Sequence, residues 1–203
     1  LNNMTRNNFF KHLLFFFAVV GFFGCGDDDN ANPQQFGPFQ VVDDNTVEMD
    51  GEISSSTLED FEDLMKDYPE IDQIIMKEVP GSSNDEVNLL VSQKVHDNNI
   101  ATHLADDGLI ASGGVDFFLA GTTRTKGSNT MIGVHSWSDG TSEAADFPRG
   151  NAEHQPYIDY YISVGFSQTA AEEFYYFTIN AAPAASIYYM TEAEIEQYGV
   201  LKP

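Results

Sequence analysis

The segment IDQIIMKEVPGSSNDEVNLLVSQKVHDNNIATHL, Ile71 to Leu104, decides the fold. Ile71 to Val79 is a short, nearly continuous apolar run of the kind a strand buried on both faces of a parallel sheet requires. Pro80-Gly81-Ser82 breaks it, and Ser83-Asn84-Asp85-Glu86 has the pattern of a capping box that opens a helix. Val87, Leu90, Val91 and Val95 then recur at helical spacing, Asn98-Asn99 closes the helix, and Ile100 to Leu104 reads as the next strand. The same grammar continues on both sides. Thr46 to Ile53 suits a strand or hairpin with Asp50-Gly51 as a turn. A capping box at Ser56-Thr57-Leu58-Glu59 opens a helix with Phe61, Leu64 and Met65 on the face of Leu58, and Pro69 ends it. Downstream, Asp106-Asp107 reads as a solvated turn. Gly108 to Ala120 begins as a loop and becomes a helix, and Met131 to Val134 is another short strand. Helices over 156–164 and 169–179 follow, and a last one is capped by Thr191-Glu192-Ala193-Glu194 and stopped by Gly199. Strands alternating with helices predict an α/β domain with a mostly parallel sheet of βα units and a helical C-terminal part.

The chain has 203 residues and a formal net charge of -23, with 32 acidic residues against 9 basic. Phosphate contacts need Lys and Arg, so this balance argues against a nucleic-acid partner. A single Cys permits neither an intrachain disulfide nor a cysteine-rich zinc site. The histidines at 96, 103 and 154 lack metal-ligand spacing and read as surface or partly buried groups, so no metal or cofactor is expected.

Arg6 and Lys11 precede an apolar run from Leu13 to Phe23, too short to span a bilayer but suited to a secretory signal. It ends in Gly24-Cys25, where the small glycine leaves room for a peptidase and the thiol can accept a lipid. This resembles a bacterial lipoprotein signal, with Phe22 and Phe23 where a stricter lipobox has Leu and a small residue. The expected organisation is a signal over 1–25, an acidic flexible tether over 26–38 beginning Gly26-Asp27-Asp28-Asp29, and one domain over 39–203. The acidic run also resembles export signals of Bacteroidetes lipoproteins. The expected location is the bacterial cell envelope, with the membrane reached through the N-terminal lipid, on either the periplasmic or the surface side.

Ligand sites of parallel sheets form at the carboxyl ends of strands. Three such ends stand out: Val79-Pro80-Gly81-Ser82, the stretch from Asp107 to Gly114, and Ile132-Gly133-Val134-His135-Ser136-Trp137. Gly81 can expose an amide at a helix entry. Ser112, between Ala111 and Gly113 and just before a helix, is set near the positive end of a helix dipole. His135 ends an apolar strand, from which it can reach into a cleft.

The Pro80-Gly81 loop, Ala111-Ser112-Gly113, Ile132-Gly133-Val134-His135 and Glu194-Ile195-Glu196-Gln197-Tyr198-Gly199-Val200, in this order and spacing, resemble the Clp protease proteolytic subunit and crotonase superfamily, most closely its periplasmic branch. The resemblance runs from about Thr46 to Leu201. It implies Ser112 as nucleophile, His135 as general base, and the Gly81 and Gly113 N–H groups as an oxyanion hole. An imidazole is suited to deprotonating a serine near neutral pH, and two fixed amides suit a tetrahedral oxyanion. Two positions depart from the family pattern: Ser82 replaces a second loop glycine, and Ile187 stands where the protease has its Asp. Asp139, Asp159, Glu172 and Glu173 are the acids considered as substitutes.

Adjacent aromatics on a helix point in different directions, so the clusters Tyr157 to Tyr161, Phe174 to Phe177 and Tyr188-Tyr189 read as core plus interface, compatible with a homo-oligomer. The residues leave two functions open: an exported serine hydrolase acting on a peptide or acyl substrate, or a Clp-protease-fold lipoprotein that binds without turnover. An acyl-CoA enzyme fits less well, because its ligand is anionic and cytosolic.

Overall fold

A computed structural model describes residues 34–203. The segments 1–25 and most of 26–38, with Cys25, lie outside the described residues. One eight-stranded sheet organises the domain. Its strands are β1 (Gln35–Phe36), β2 (Phe39–Val41), β3 (Thr46–Met49), β4 (Gln73–Val79), β5 (Ala101–Ala111), β6 (Arg124–Lys126), β7 (Met131–Val134) and β8 (Tyr188–Tyr189). The helices are α1 (Thr57–Asp67), α2 (Asp85–Asp97), α3 (Gly113–Leu119), α4 (Gln155–Ser163), α5 (Gln168–Ala181) and α6 (Glu192–Gln197).

The sheet runs β1-β2-β3-β4-β5-β7-β8, with β6 paired to β5 off this path. β3, β4, β5, β6 and β7 are joined by parallel pairings, and antiparallel pairs occur at the margins, in β1–β2–β3 and β7–β8. The α/β reading with its mostly parallel centre is therefore correct. Because Gln35–Phe36 pair with β2, the sheet begins inside the stretch expected to be tether.

The local chemistry explains the remaining boundaries. α1 does not use the expected capping box: Ser56 makes no side-chain cap, while Thr57 Oγ1 accepts the Ser54 amide at 2.9 Å. α2 is capped by Asn84 rather than Ser83, through Asn84 Oδ1 and the Val87 amide at 3.2 Å. Its buried face is Asn88, Val91, Ser92 and Val95, which leaves Leu90 50% exposed. At α6 the expected Thr191–Glu194 capping box is present.

The largest departure lies in β5. The strand does not stop at Leu104 but continues to Ala111, and Asp106-Asp107 sit within it as a bulge rather than as a turn between elements. Met76 pairs with Leu104, yet Glu78 pairs with Leu109, so β5 absorbs extra residues there. Asp107 takes φ +58°, and Asp106 Oδ1 accepts the Ser128 amide at 2.6 Å. The first half of β5 pairs with β6 and the second with β7. Ser112 is thereby carried to the end of a strand lying between β4 and β7. β6 and β8 are too short to leave a periodic signal, and neither was expected from the sequence.

A buried cation locks the C-terminus to this sheet. Arg124 is 4% exposed and has four backbone carbonyls as acceptors: Val200 at 2.7 Å, Gly199 at 3.1 Å, and Leu119 and Gly121 both at 3.2 Å. Burial pulls its guanidinium down to about 10, still charged at neutral pH. Arg124→Gln leaves several of these carbonyls unpaired and should cost about 3 kcal/mol, since hydrogen bonds to charged groups are worth about 1.5–3 kcal/mol each. The check is urea unfolding, with a lowered midpoint and an unchanged m-value expected.

Candidate active site

The carboxyl ends of β4, β5 and β7 meet at one cleft, lined by Ser112, Gly113, His135, Asp85, Asp116 and an aromatic wall of Trp137, Tyr157, Tyr161 and Tyr175. The enclosed space is small, about 40 Å³. Ser112 lies at the junction of β5 and α3 with φ +52° and ψ -129°, a conformation that costs a non-glycine residue about 1–3 kcal/mol. Its amide donates to Gly133 O at 3.0 Å, which ties the turn to β7. Among the described residues its hydroxyl makes no hydrogen bond and caps nothing, so it is a free group at the mouth of a helix.

The turn is held from two sides by close approach. A Cβ on Gly114 would collide with Val79 O, and one on Gly113 would collide with Ser82 Oγ and Asn88 Nδ2. Asn88, itself buried, donates Nδ2 to Gly113 O at 3.0 Å. Gly81, at φ +151°, stands against Ser112: a Cβ there would lie 3.2 Å from Ser112 Cβ. Its carbonyl accepts the Ile53 amide at 2.9 Å, and among the described residues no hydrogen bond occupies the Gly81 or the Gly113 amide. Ser82 does not enter the cleft as a free side chain, because its Oγ donates to Asp85 Oδ1 at 2.5 Å.

His135 follows β7 and is half-buried, with Nδ1 2.7 Å from Ser136 O. With Nδ1–H donating to that carbonyl, Nε2 is left as the basic nitrogen. No hydrogen bond joins His135 to Ser112 among the described residues. Extending the β7–β8 register one step beyond Val134↔Tyr188 sets Ile187 opposite His135, so the residue in the expected acid position is apolar. Its Cγ2 would meet a Cβ on Gly133. None of the four substitute acids makes up the loss: no hydrogen bond joins any of them to His135. Asp139 accepts the amides of Thr141 and Ser142, both at 2.7 Å, Asp159 accepts from Gln155 at 2.7 Å, and Glu172 takes Gln168.

Sequence reasoning missed two carboxylates at the cleft and the tyrosine hydroxyls that meet them, although Tyr161 and Tyr175 are in the core as their clusters implied. Asp116 is one turn beyond Ser112 on α3, and its Oδ1 accepts the Tyr161 hydroxyl at 2.6 Å. Asp85 accepts the Tyr157 hydroxyl at 2.7 Å. Helical i, i+4 spacing from Ser112 could have singled out Asp116; nothing local marks the tyrosines, which arrive from α4 and α5. Tyr157 and Tyr161 stay protonated donors, because burial and the facing carboxylates push their hydroxyls up. Behind them His154, 1% exposed rather than at the surface, lies 2.8 Å from Tyr175 Oη, which accepts Trp137 Nε1–H at 2.9 Å. Among the described residues no group of three His, Cys, Asp or Glu side chains converges as a metal site would need.

No protein-family profile matches the sequence, and no curated protein is similar enough to count as a relative. Solved structures do match. The ClpP protease catalytic domain from Plasmodium falciparum aligns at 18% identity over 77% of this chain and 82% of its own, with a TM-score of 0.51. ClpP1 from Listeria monocytogenes aligns at 18% identity over 78% and 89%, with a TM-score of 0.50. The 1510-N membrane protease specific for a stomatin homolog from Pyrococcus horikoshii aligns at 19% identity over 76% and 69%, with a TM-score of 0.48. The chain has the Clp-protease-like fold.

Two predictions follow from the cleft. Ser112→Gly relieves the positive φ, and after the entropy cost of glycine it should raise stability by up to about 1 kcal/mol in denaturant titrations. For Asp116, desolvation, reinforced by Asp85 and opposed by the Tyr161 hydroxyl, pushes the carboxyl from 3.8 to about 7. The folded state therefore holds this proton longer than the unfolded chain does. The associated stability is complete below about pH 4 and fades up to about pH 7, by up to about 1.4 kcal/mol per unit. Asp116→Asn keeps an acceptor for Tyr161 and should remove that decline, so that the variant gains on the wild type between about pH 4 and pH 7 in paired unfolding curves.

Proposed function

We propose that the chain is an exported serine hydrolase acting on peptide or related acyl substrates, attached to the cell envelope through a lipid on Cys25. The observation that carries the reading is Ser112: a strained, positive-φ serine with a free hydroxyl, lining one cleft with His135. Strained backbone persists only where the surroundings over-determine it, and it concentrates at functional sites. The shared fold with a protease catalytic domain supports the same reading.

In this mechanism Ser112 Oγ attacks the substrate carbonyl carbon while its proton passes to His135 Nε2. The carbonyl π electrons move onto oxygen, and the Gly81 and Gly113 N–H groups donate to that oxyanion. The intermediate collapses, the bond to the leaving amine or alcohol breaks, and the leaving group takes the proton from the imidazolium. Water, deprotonated by the same imidazole, then attacks the acyl carbon; the ester bond to Ser112 Oγ breaks, and Oγ takes the proton back from the imidazolium as the acid leaves. Ser136 O accepts Nδ1–H and orients the ring, in place of a carboxylate. A neutral carbonyl stabilises the imidazolium less than an anion does, which makes for slow turnover.

Ile187 and the absent Ser112–His135 hydrogen bond favour the other reading, a fold that binds without turnover. Fluorophosphonate labelling of the full chain separates the two. The hydrolase reading expects labelling of the wild type, none in Ser112→Ala, and a rate lower by about 10²–10⁴ in His135→Ala. An unlabelled wild type overturns it.

A further inference from the structure

Beside the Ser112 cleft runs a second, larger depression of about 640 Å³ between α2 and α4. The two share Asp85, Trp137 and Tyr157 in their linings, so the depression adjoins the cleft. At its far end Gln93 and Ser163 are hydrogen-bonded across the helices and close it. Asp85 to Gln93 spans eight helical steps, roughly 12 Å, the length of about three or four extended residues. The floor is apolar, with Leu89, half-exposed Leu90, Pro156 and Tyr157. The rim carries Glu86, Glu153 and Asp159 besides Asp85, with no Lys, Arg or His in the lining among the described residues.

We infer that this groove binds a basic, apolar segment of a substrate polypeptide, leading its scissile bond to Ser112; the inference rests on the hydrolase reading above. Two observations converge on that occupant. The groove exposes apolar surface where the α2 pattern would have predicted core, and every charged group in its lining, among the described residues, is negative. Lys and Arg fit both features at once, since their aliphatic stems cover apolar surface while their heads reach outward to carboxylates. An acidic segment would meet only like charge, so the groove rejects as well as selects.

The test uses the full chain carrying Ser112→Ala and fluorescein-labelled octapeptides of alternating Leu and Lys, Leu and Gln, or Leu and Glu, read by anisotropy. The Lys peptide should bind about tenfold tighter than the Gln peptide, and the Glu peptide more weakly than either. Glu86→Gln, Glu153→Gln and Asp159→Asn together should abolish most of that preference. Glu59→Gln, Asp63→Asn and Asp67→Asn on exposed α1 remove the same charge and should leave it intact. No preference for Lys, or equal loss in both triple variants, overturns the groove, the latter by assigning the attraction to the chain's overall charge of -23. Labelling of wild-type Ser112 without a basic preference sinks the groove alone. A basic preference with no labelling sinks the hydrolase and leaves a peptide-binding groove.

Discussion

The first turn of α3 is pressed so closely against the end of β4 that Gly113 and Gly114 can carry no side chain. This approach sets the geometry of everything around it. With Val79 O against Gly114, Ser82 and Asn88 against Gly113, and Ser112 N–H fixed to Gly133 O, the chain can leave β5 for α3 only by turning sharply at Ser112. The sharp turn puts the serine hydroxyl outward, free of the capping role that a serine before a helix ordinarily takes. Gly81 is then its neighbour across the sheet and His135 its neighbour in the cleft. Packing deep in the sheet, together with the Ser112 amide bond to Gly133 O, holds the half-buried hydroxyl where it is.

Much of this was legible because strands, caps and loop tips leave local marks. The apolar run to Val79, the break at Pro80-Gly81 and the strand ending at His135 each rest on a few consecutive residues. What could not be read depends on partners distant in sequence. The bulge at Asp106-Asp107 looked like a turn because its φ +58° residue and its bond to Ser128 have the chemistry of one; only pairing with β6 and then β7 makes it part of a single strand. Leu90 belonged to the apolar periodicity of α2, yet that face yields to Asn88, which is buried to hold Gly113 O. Tyr161 lies in the core and Tyr157 against it, as their cluster implied, but nothing beside them predicts that their hydroxyls meet Asp85 and Asp116.

Those tyrosine–carboxylate pairs give the cleft an unusual electrostatic balance. Neither tyrosine ionises near neutral pH, so each hydroxyl is a permanent donor to its acid. Asp116 is held to about 7 even so, because burial outweighs the single donor it receives. The cleft therefore gains negative charge as pH rises through neutrality.

The backbone at residue 112 also restricts what chemistry could ever evolve there. A left-handed φ is tolerable for an unbranched side chain but prohibitive for one branched at Cβ, whose second substituent would strike the main chain. Threonine is barred from this corner on steric grounds alone, whereas a thiol would fit as readily as the alcohol. The backbone thus sorts side chains at this corner by branching at Cβ before any question of reactivity arises.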